Sequence, residues 1–105
     1  MSLVLHRLRS GLIYSQAFAD YLQEKHREEH FAHPGEVLHL DYVRCGQGEL
    51  AGQSWCQLEW LTGAQAPTEH RHTIGGVEVF IHRQAMRGLK NRMLHFDGQN
   101  VIVKS

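Results

Sequence analysis

Residues 76–97 constrain the fold more than any other part of the sequence, because they predict a strand, a short helix and a second strand in direct succession. Apolar and polar side chains alternate over residues 77–82, which is the period of a half-buried strand. Over residues 84–89 the apolar side chains recur at one-turn spacing and predict a short helix. Gly88 and Asn91 favour its termination, since both residue types tolerate the left-handed backbone that follows many helices.

The second strand of this segment is predicted to continue into a hairpin. Leu94 and Phe96 lie on one face of the predicted strand, and residues 101–103 supply three apolar side chains for a returning strand. Asp97-Gly98 lies between them and is a hairpin signal, because a tight primed turn requires a positive φ that glycine adopts at little cost.

The rest of the sequence predicts one long helix and two further strands. Ser15 is a good N-cap, and the apolar side chains after it follow helical spacing, so we expect an amphipathic helix over residues 16–29. Alternation of apolar and polar side chains predicts strands over residues 36–45 and 54–61. Three glycines within residues 45–53 predict a loop or a bulged connection between these strands.

This order of elements predicts the fold class. The strands are close in sequence and linked by turns, so we expect a mostly antiparallel arrangement of sandwich-like sheets with one N-terminal helix and one short helix. The whole chain, residues 1–105, is predicted to form a single α+β domain. Residues 1–14 mix apolar and basic side chains, and either an edge strand or a loose N-terminus fits them.

The composition excludes several classes of protein. Lys and Arg number 11 and balance 11 Asp and Glu, so the overall charge does not favour binding to nucleic acid or anionic lipid. Nine histidines would add positive charge below about pH 6. Two cysteines do not form a disulfide scaffold. We see no secretory signal or membrane-spanning run, and we expect a cytoplasmic monomer or homodimer without a membrane partner.

The strand–helix–strand segment resembles the A-type iron–sulfur carrier family, whose members have the HesB-like fold. The family pattern is close to V-F-V-D-x-x-S-L-x-x-L-x-G-x-x-(L/I)-D-(F/Y), and this chain aligns with it without a gap. The aligned apolar positions are Val79, Phe80, Ile81, Met86, Leu89, Leu94 and Phe96. The helix and strand within residues 15–43 also follow the family order, so the resemblance covers most of the chain and implies the HesB-like fold.

The chain departs from this family at the residues that hold the metal. The family binds iron or a cluster through one cysteine in a Gly-Cys-Ser-Gly turn and two in a C-terminal Cys-Gly-Cys tail, and thiolates suit such clusters. The corresponding residues 48–53 contain no cysteine, and the sequence ends at Ser105 before any such tail. His82 and His95 replace the acidic residues of the pattern.

The resemblance therefore implies a cysteine-less member of the family, similar to the DsrR-like type that accompanies dissimilatory sulfur oxidation in phototrophic sulfur bacteria. For such a member we expect a non-enzymatic accessory or regulatory role without a cofactor. The expected partner is a protein, and RNA is a weaker alternative because the net charge is zero.

Two other functions stay open on the residues themselves. Cys45 and Cys56, completed by histidines, would form an iron or iron–sulfur site, since Rieske centres mix histidine and cysteine ligands. Alternatively His70 and His72, which share a face if they lie on a strand, would bind a metal with Glu78 in the manner of cupin barrels. The plainer interpretations are that Cys56 is a core residue and that the two histidines belong to a polar loop.

Two clusters of polar side chains are also candidate sites. His26 and His30 are one turn apart on the predicted helix and would be able to face one metal ion. Basic side chains gather around the predicted short helix, where they indicate either a small anion or RNA patch or simply a solvated face. These basic residues are Arg83, Arg87, Lys90 and Arg92.

Overall fold

The structure is a computed structural model, and it describes residues 4–44 and 54–104. The whole predicted loop over residues 45–53, which includes Cys45, lies outside these described residues. The strands are β1 (Leu5–Arg7), β2 (Ile13–Ser15), β3 (Glu36–Arg44), β4 (Ser54–Thr62), β5 (Arg71–Ile74), β6 (Val77–Ile81), β7 (Met93–Phe96) and β8 (Val101–Lys104). The helices are α1 (Gln16–Glu29) and α2 (Arg83–Leu89), and 3-10 turns cover His30–Ala32, Gly63–Gln65 and Thr68–His70.

The described strands form two sheets of four, with the orders β1-β2-β7-β8 and β4-β3-β6-β5. The predicted α+β class is therefore confirmed. Antiparallel pairs join β1 to β2, β3 to β4, β5 to β6 and β7 to β8. Each sheet also has a parallel pair in its middle, β2 with β7 and β3 with β6, so both sheets are mixed.

Helix α1 begins and ends where the sequence predicts. Ser15 is its N-cap, and the Ser15 hydroxyl accepts the N–H of Phe18 at 3.2 Å. Phe18 and Leu22, one turn apart on the inner face, are fully buried. The same hydroxyl lies 2.8 Å from Nδ1 of His95 on β7, so the helix cap also joins α1 to the first sheet.

The substitution Ser15→Ala should lower the free energy of unfolding by about 1–2 kcal/mol, because it removes the cap of a buried helix end. Ser15 is completely buried, so water cannot replace the lost hydroxyl without rearrangement. Urea unfolding measures the change. Asp20→Ala on the exposed face of α1 is the control, and we expect it to change the stability by less than about 0.5 kcal/mol. Equal losses in the two variants would contradict this role for Ser15.

The middle of the second sheet supplies most of the remaining core. Leu38 and Leu40 of β3 pair in parallel with Val79 and Ile81 of β6, and all four side chains are completely buried. The alternation predicted for both strands is therefore confirmed. Phe80 lies on the other face of β6, and yet only 5% of it is exposed. The rings of two histidines, His39 and His82, lie beside it.

Three segments of the structure differ from the sequence predictions or decide what these left open. Phe96 pairs with Val101, so the predicted hairpin is present, but its central residues are Gly98 and Gln99 rather than Asp97 and Gly98. The N-terminal residues 5–7 and 13–15 form the strands β1 and β2, with β1 at a sheet edge. The plainer interpretation of residues 69–75 was a polar loop, yet residues 71–74 form β5, which pairs with β6.

Candidate functional site

Helix α2 lies against the second sheet and separates two concave regions of the surface. At Gly88 the helix approaches β3 so closely that a Cβ atom would come within 2.8 Å of the Tyr42 ring. His82 caps the helix, and its Nδ1 accepts the N–H of Gln84 at 3.3 Å. Beyond the helix, Arg92 donates to the Tyr42 hydroxyl at 2.6 Å. These contacts hold α2 in a defined position on the sheet.

A groove of about 830 Å³ lies on one side of α2, and we call it the α2 groove. Its lining includes His39, Asp41, Tyr42, Leu61, Phe80, His82, Gln84 and Arg87. The Phe80 ring lies 5.3 Å from the ring centre of His39 and 6.5 Å from that of His82. Aromatic surface and hydrogen-bonding groups are therefore combined in one concave region, which is the usual composition of a recognition site.

A smaller cleft of about 310 Å³ lies on the other side of α2, and we call it the basic cleft. Its polar lining consists of Ser10, Glu69, His70, His72, Arg83, Arg87 and Lys90. Three of the four basic residues predicted to cluster therefore line the basic cleft. The fourth, Arg92, donates to the Tyr42 hydroxyl instead. Burial, and secondly the charge of His70, lowers the pKa of His72 below its ordinary value.

The cupin-like hypothesis requires His70, His72 and Glu78 to converge, and the strand register does not bring them together. Thr73 pairs with Glu78, so Glu78 points to the face on which Arg71 lies. Glu78 accepts a hydrogen bond from Arg71 at 3.1 Å. His72 pairs with Val79 on the opposite face, and His70 lies in a 3-10 turn rather than on the strand.

Cys56 lies on β4 and packs against the buried core. Burial, followed by the nearby charge of Asp41, raises the pKa of the Cys56 thiol to about 12. The thiolate, which is the form that binds metals and reacts as a nucleophile, is therefore disfavoured at this position. The packing agrees with the plainer interpretation of Cys56 as a core residue, while Cys45 lies outside the described residues.

In a Cys45→Ser variant, where Cys56 is the remaining thiol, we expect reaction with Ellman's reagent at about pH 8 to be roughly a hundredfold slower, or slower still, in the folded protein than in denaturant. The physical reason is the raised pKa and partial burial of Cys56. Absorbance of the released thiolate measures the rate. Similar rates in the folded and unfolded protein would contradict the core position of this thiol.

The histidines near the end of α1 are engaged in local ring contacts. The rings of His26 and His30 stack with their centres 5.1 Å apart and an interplanar angle of 2°. His30 Nδ1 lies 2.8 Å from the carbonyl oxygen of His26. His33 stacks on Trp60 at 4.8 Å and contacts Glu36. Within residues 4–44 and 54–104, no group of three or more His, Cys, Asp or Glu side chains is arranged to hold a metal ion.

Comparisons of this chain with protein-family profiles, curated proteins and solved structures found no match. Neither described helix combines the length and hydrophobicity needed to cross a lipid bilayer. The geometry of α2 and of the two concave regions beside it is therefore the basis for the functional argument.

Sequence reasoning did not identify two contributors to these sites. Ser10 lines the basic cleft although it is far in sequence from α2, and no local pattern marks it. Strand β5 was missed as well, although Gly75-Gly76 is a hairpin signal. These two glycines have φ values of 59° and 82°, as the primed turn between β5 and β6 requires.

Proposed function

We propose that this chain is a non-enzymatic binding protein that recognises a protein partner through the α2 groove. The wider proposal, which rests on the resemblance to A-type iron–sulfur carriers, is an accessory or regulatory role in sulfur oxidation. The order of elements supports that resemblance, because α1 precedes β3 and α2 connects β6 to β7 as the family pattern requires.

The observation that carries the proposal is the α2 groove itself. Its volume of about 830 Å³ is comparable with that of sites that enclose a ligand or a group of partner side chains. Gln84 and His82 are exposed in the groove, and the imidazoles of His39 and His82 provide aromatic surface beside the Phe80 ring, which is only 5% exposed. Aromatic surface combined with hydrogen-bonding groups is typical of the centre of protein interfaces.

The environment of Cys56 argues against the alternative function of an iron or iron–sulfur carrier. A carrier needs accessible thiolates, whereas the raised pKa of Cys56 and its core contacts favour the protonated, packed thiol. The separation of His72 from Glu78 argues in the same way against a cupin-like metal protein.

The first experiment tests the absence of carrier chemistry. The protein is produced together with iron–sulfur assembly machinery, and iron and acid-labile sulfide are measured before and after anaerobic reconstitution. We expect substoichiometric iron and sulfide. Stoichiometric amounts of both, lost in Cys45→Ser or Cys56→Ser, would overturn the proposal in favour of the carrier.

The second experiment tests the α2 groove directly. A photo-crosslinking amino acid is placed at Gln84 in one variant and at Gln99, an exposed residue of the β7–β8 hairpin, in the matched control. Both variants are irradiated in cells that naturally express the protein. We expect a discrete covalent adduct from position 84 and none from position 99. Equal labelling, or labelling only at position 99, would contradict recognition through the groove.

A further inference from the structure

The geometry points to the basic cleft as a binding site for a small tetrahedral oxyanion of the phosphate class, either free or as the phosphoryl group of a small molecule. The inference concerns the side of α2 opposite the α2 groove, and it does not depend on the function proposed above. It rests on three features of the cleft, which are the spacing of its cations, the absence of ion pairs between these cations and other described residues, and the polar groups that other elements add to the lining.

The first feature is a row of three cations, two on α2 and one at its C-cap, Lys90. Arg83, Arg87 and Lys90 follow one another at intervals of four and three residues, and all three line the cleft. Side chains at these spacings are neighbours on a helix surface, so three positive charges lie side by side and repel one another. A bound anion would relieve this repulsion.

The second feature is that the three cations form no ion pair with another described residue. The ion pairs within residues 4–44 and 54–104 involve other basic residues, namely Lys25, His33, His39 and Arg71. Glu69 is the one carboxylate among the described lining residues, so the described part of the cleft has an excess of two positive charges while its imidazoles are neutral. The chain as a whole has a net charge of zero, so this excess is a local property of the cleft.

The third feature is the set of groups that other elements add to the lining of the cleft. His70 and His72 line it, and each neutral imidazole has one nitrogen that donates and one that accepts a hydrogen bond. Ser10 also lines the cleft, and its buried Oγ has no hydrogen-bond partner within the described part of the chain. Buried hydroxyls are nearly always hydrogen-bonded, so an acceptor oxygen in the cleft would satisfy a group that is otherwise left over.

The size and chemistry of the cleft set the ligand class. A volume of about 310 Å³ accommodates a small molecule rather than a folded partner. Guanidinium groups bind phosphate oxygens through paired hydrogen bonds, and the ammonium of Lys90 adds a point charge. A dianion with several acceptor oxygens therefore suits these groups better than a carboxylate or a halide.

Binding is tested by calorimetry with inorganic phosphate in one arm and a phosphate monoester, such as ribose 5-phosphate, in the other. The test variant is Arg83→Gln with Lys90→Gln, because these two residues line the basic cleft and not the α2 groove. The control, Arg27→Gln with Lys104→Gln, removes the same charge at exposed positions elsewhere.

We expect saturable binding of phosphate or of the monoester, with a dissociation constant that rises roughly tenfold or more in the test variant and stays within about twofold in the control. Tighter binding of the monoester would identify a phosphorylated small molecule as the ligand. Equal affinity for both would identify the free oxyanion. Absence of saturable binding, equal losses in both variants, or binding of an RNA oligonucleotide alone would overturn the inference.

A pH dependence provides a second, independent test, and sulfate is the probe because its charge is constant over the range. The lowered pKa of His72 means that it is mostly neutral near neutrality, and a bound dianion favours its protonated form. Binding should therefore take up protons, and sulfate affinity should increase as the pH falls from about 8 to about 6. The charged and titratable groups that face His72 are Glu69, His70, Arg83, Arg87 and Lys90.

The matched variants for this test are His70→Gln with His72→Gln in the cleft and His26→Gln outside it. We expect the first variant to lose most of the pH dependence and the second to retain it. NMR of the imidazole protons follows the titration of His72 directly. The midpoint of this titration should shift to higher pH when sulfate is added, and a purely structural role of His72 would not cause such a shift. A midpoint that does not move would contradict binding at this cleft.

Discussion

The substitution Phe18→Ala should lower the free energy of unfolding by about 3–5 kcal/mol. Phe18 is completely buried on the inner face of α1, among core residues of both sheets. Its truncation removes the favourable transfer of a large ring from water and leaves a cavity that the surrounding side chains fill only in part. A domain of this size has about 5–15 kcal/mol of stability, so the variant loses a large share of it.

The matched control for this prediction is Phe31→Ala. Phe31 is 81% exposed in the 3-10 turn after α1, where its ring is tilted by 36° against that of His30, and we expect a change of less than about 0.5 kcal/mol. Urea unfolding followed by tryptophan fluorescence measures both variants. If Phe18→Ala does not fold, Phe18→Leu should still be measurable, with a loss of about 1–2 kcal/mol. Equal effects at positions 18 and 31 would contradict the packing of α1.

The substitution Gly75→Ala should cost about 2–4 kcal/mol, which combines backbone strain and a steric clash. Gly75 has φ of 59°, and a Cβ atom there would lie 2.9 Å from the Cβ of Ala19 on α1. Its carbonyl oxygen also accepts a hydrogen bond from Gln23. The hairpin between β5 and β6 is thus in close contact with α1 at this residue.

The substitution Gly76→Ala separates the cost of backbone strain from the cost of the steric clash. Gly76 has φ of 82°, so alanine is strained there as well, but nothing lies within 4 Å of the added Cβ atom. We expect a loss of about 1 kcal/mol from strain alone. The difference between the two variants, measured by urea unfolding, is therefore the cost of the clash with Ala19. Identical losses would mean that α1 and this hairpin are not in contact.

Local patterns were sufficient to predict most of the individual elements. Helix α1 begins and ends at the predicted residues, because a strong N-cap and an apolar stripe at helical spacing both depend only on nearby sequence. Strands β3, β4, β6 and β7 were predicted from alternation for the same reason, and β8 from an apolar run that follows a hairpin signal. The functional hypotheses drawn from the family resemblance stay predictions.

Tertiary structure alone decided how these elements combine into candidate sites. The parallel pairs of β3 with β6 and of β2 with β7 join segments that are distant in sequence, and no local pattern encodes such pairings. The register of β5 on β6 places His72 and Glu78 on opposite faces, because each step along a strand reverses the side-chain direction.

The basic cleft illustrates the same division. The sequence by itself determined that basic side chains gather on α2, since their spacing is a property of one helix. Ser10 and His72 line the same cleft as these basic side chains because of the positions of β1, β2 and β5. Those positions depend on burial of the shared core. Side-chain periodicity reports what a segment buries, whereas the partner that it is buried against is chosen by packing of the whole chain.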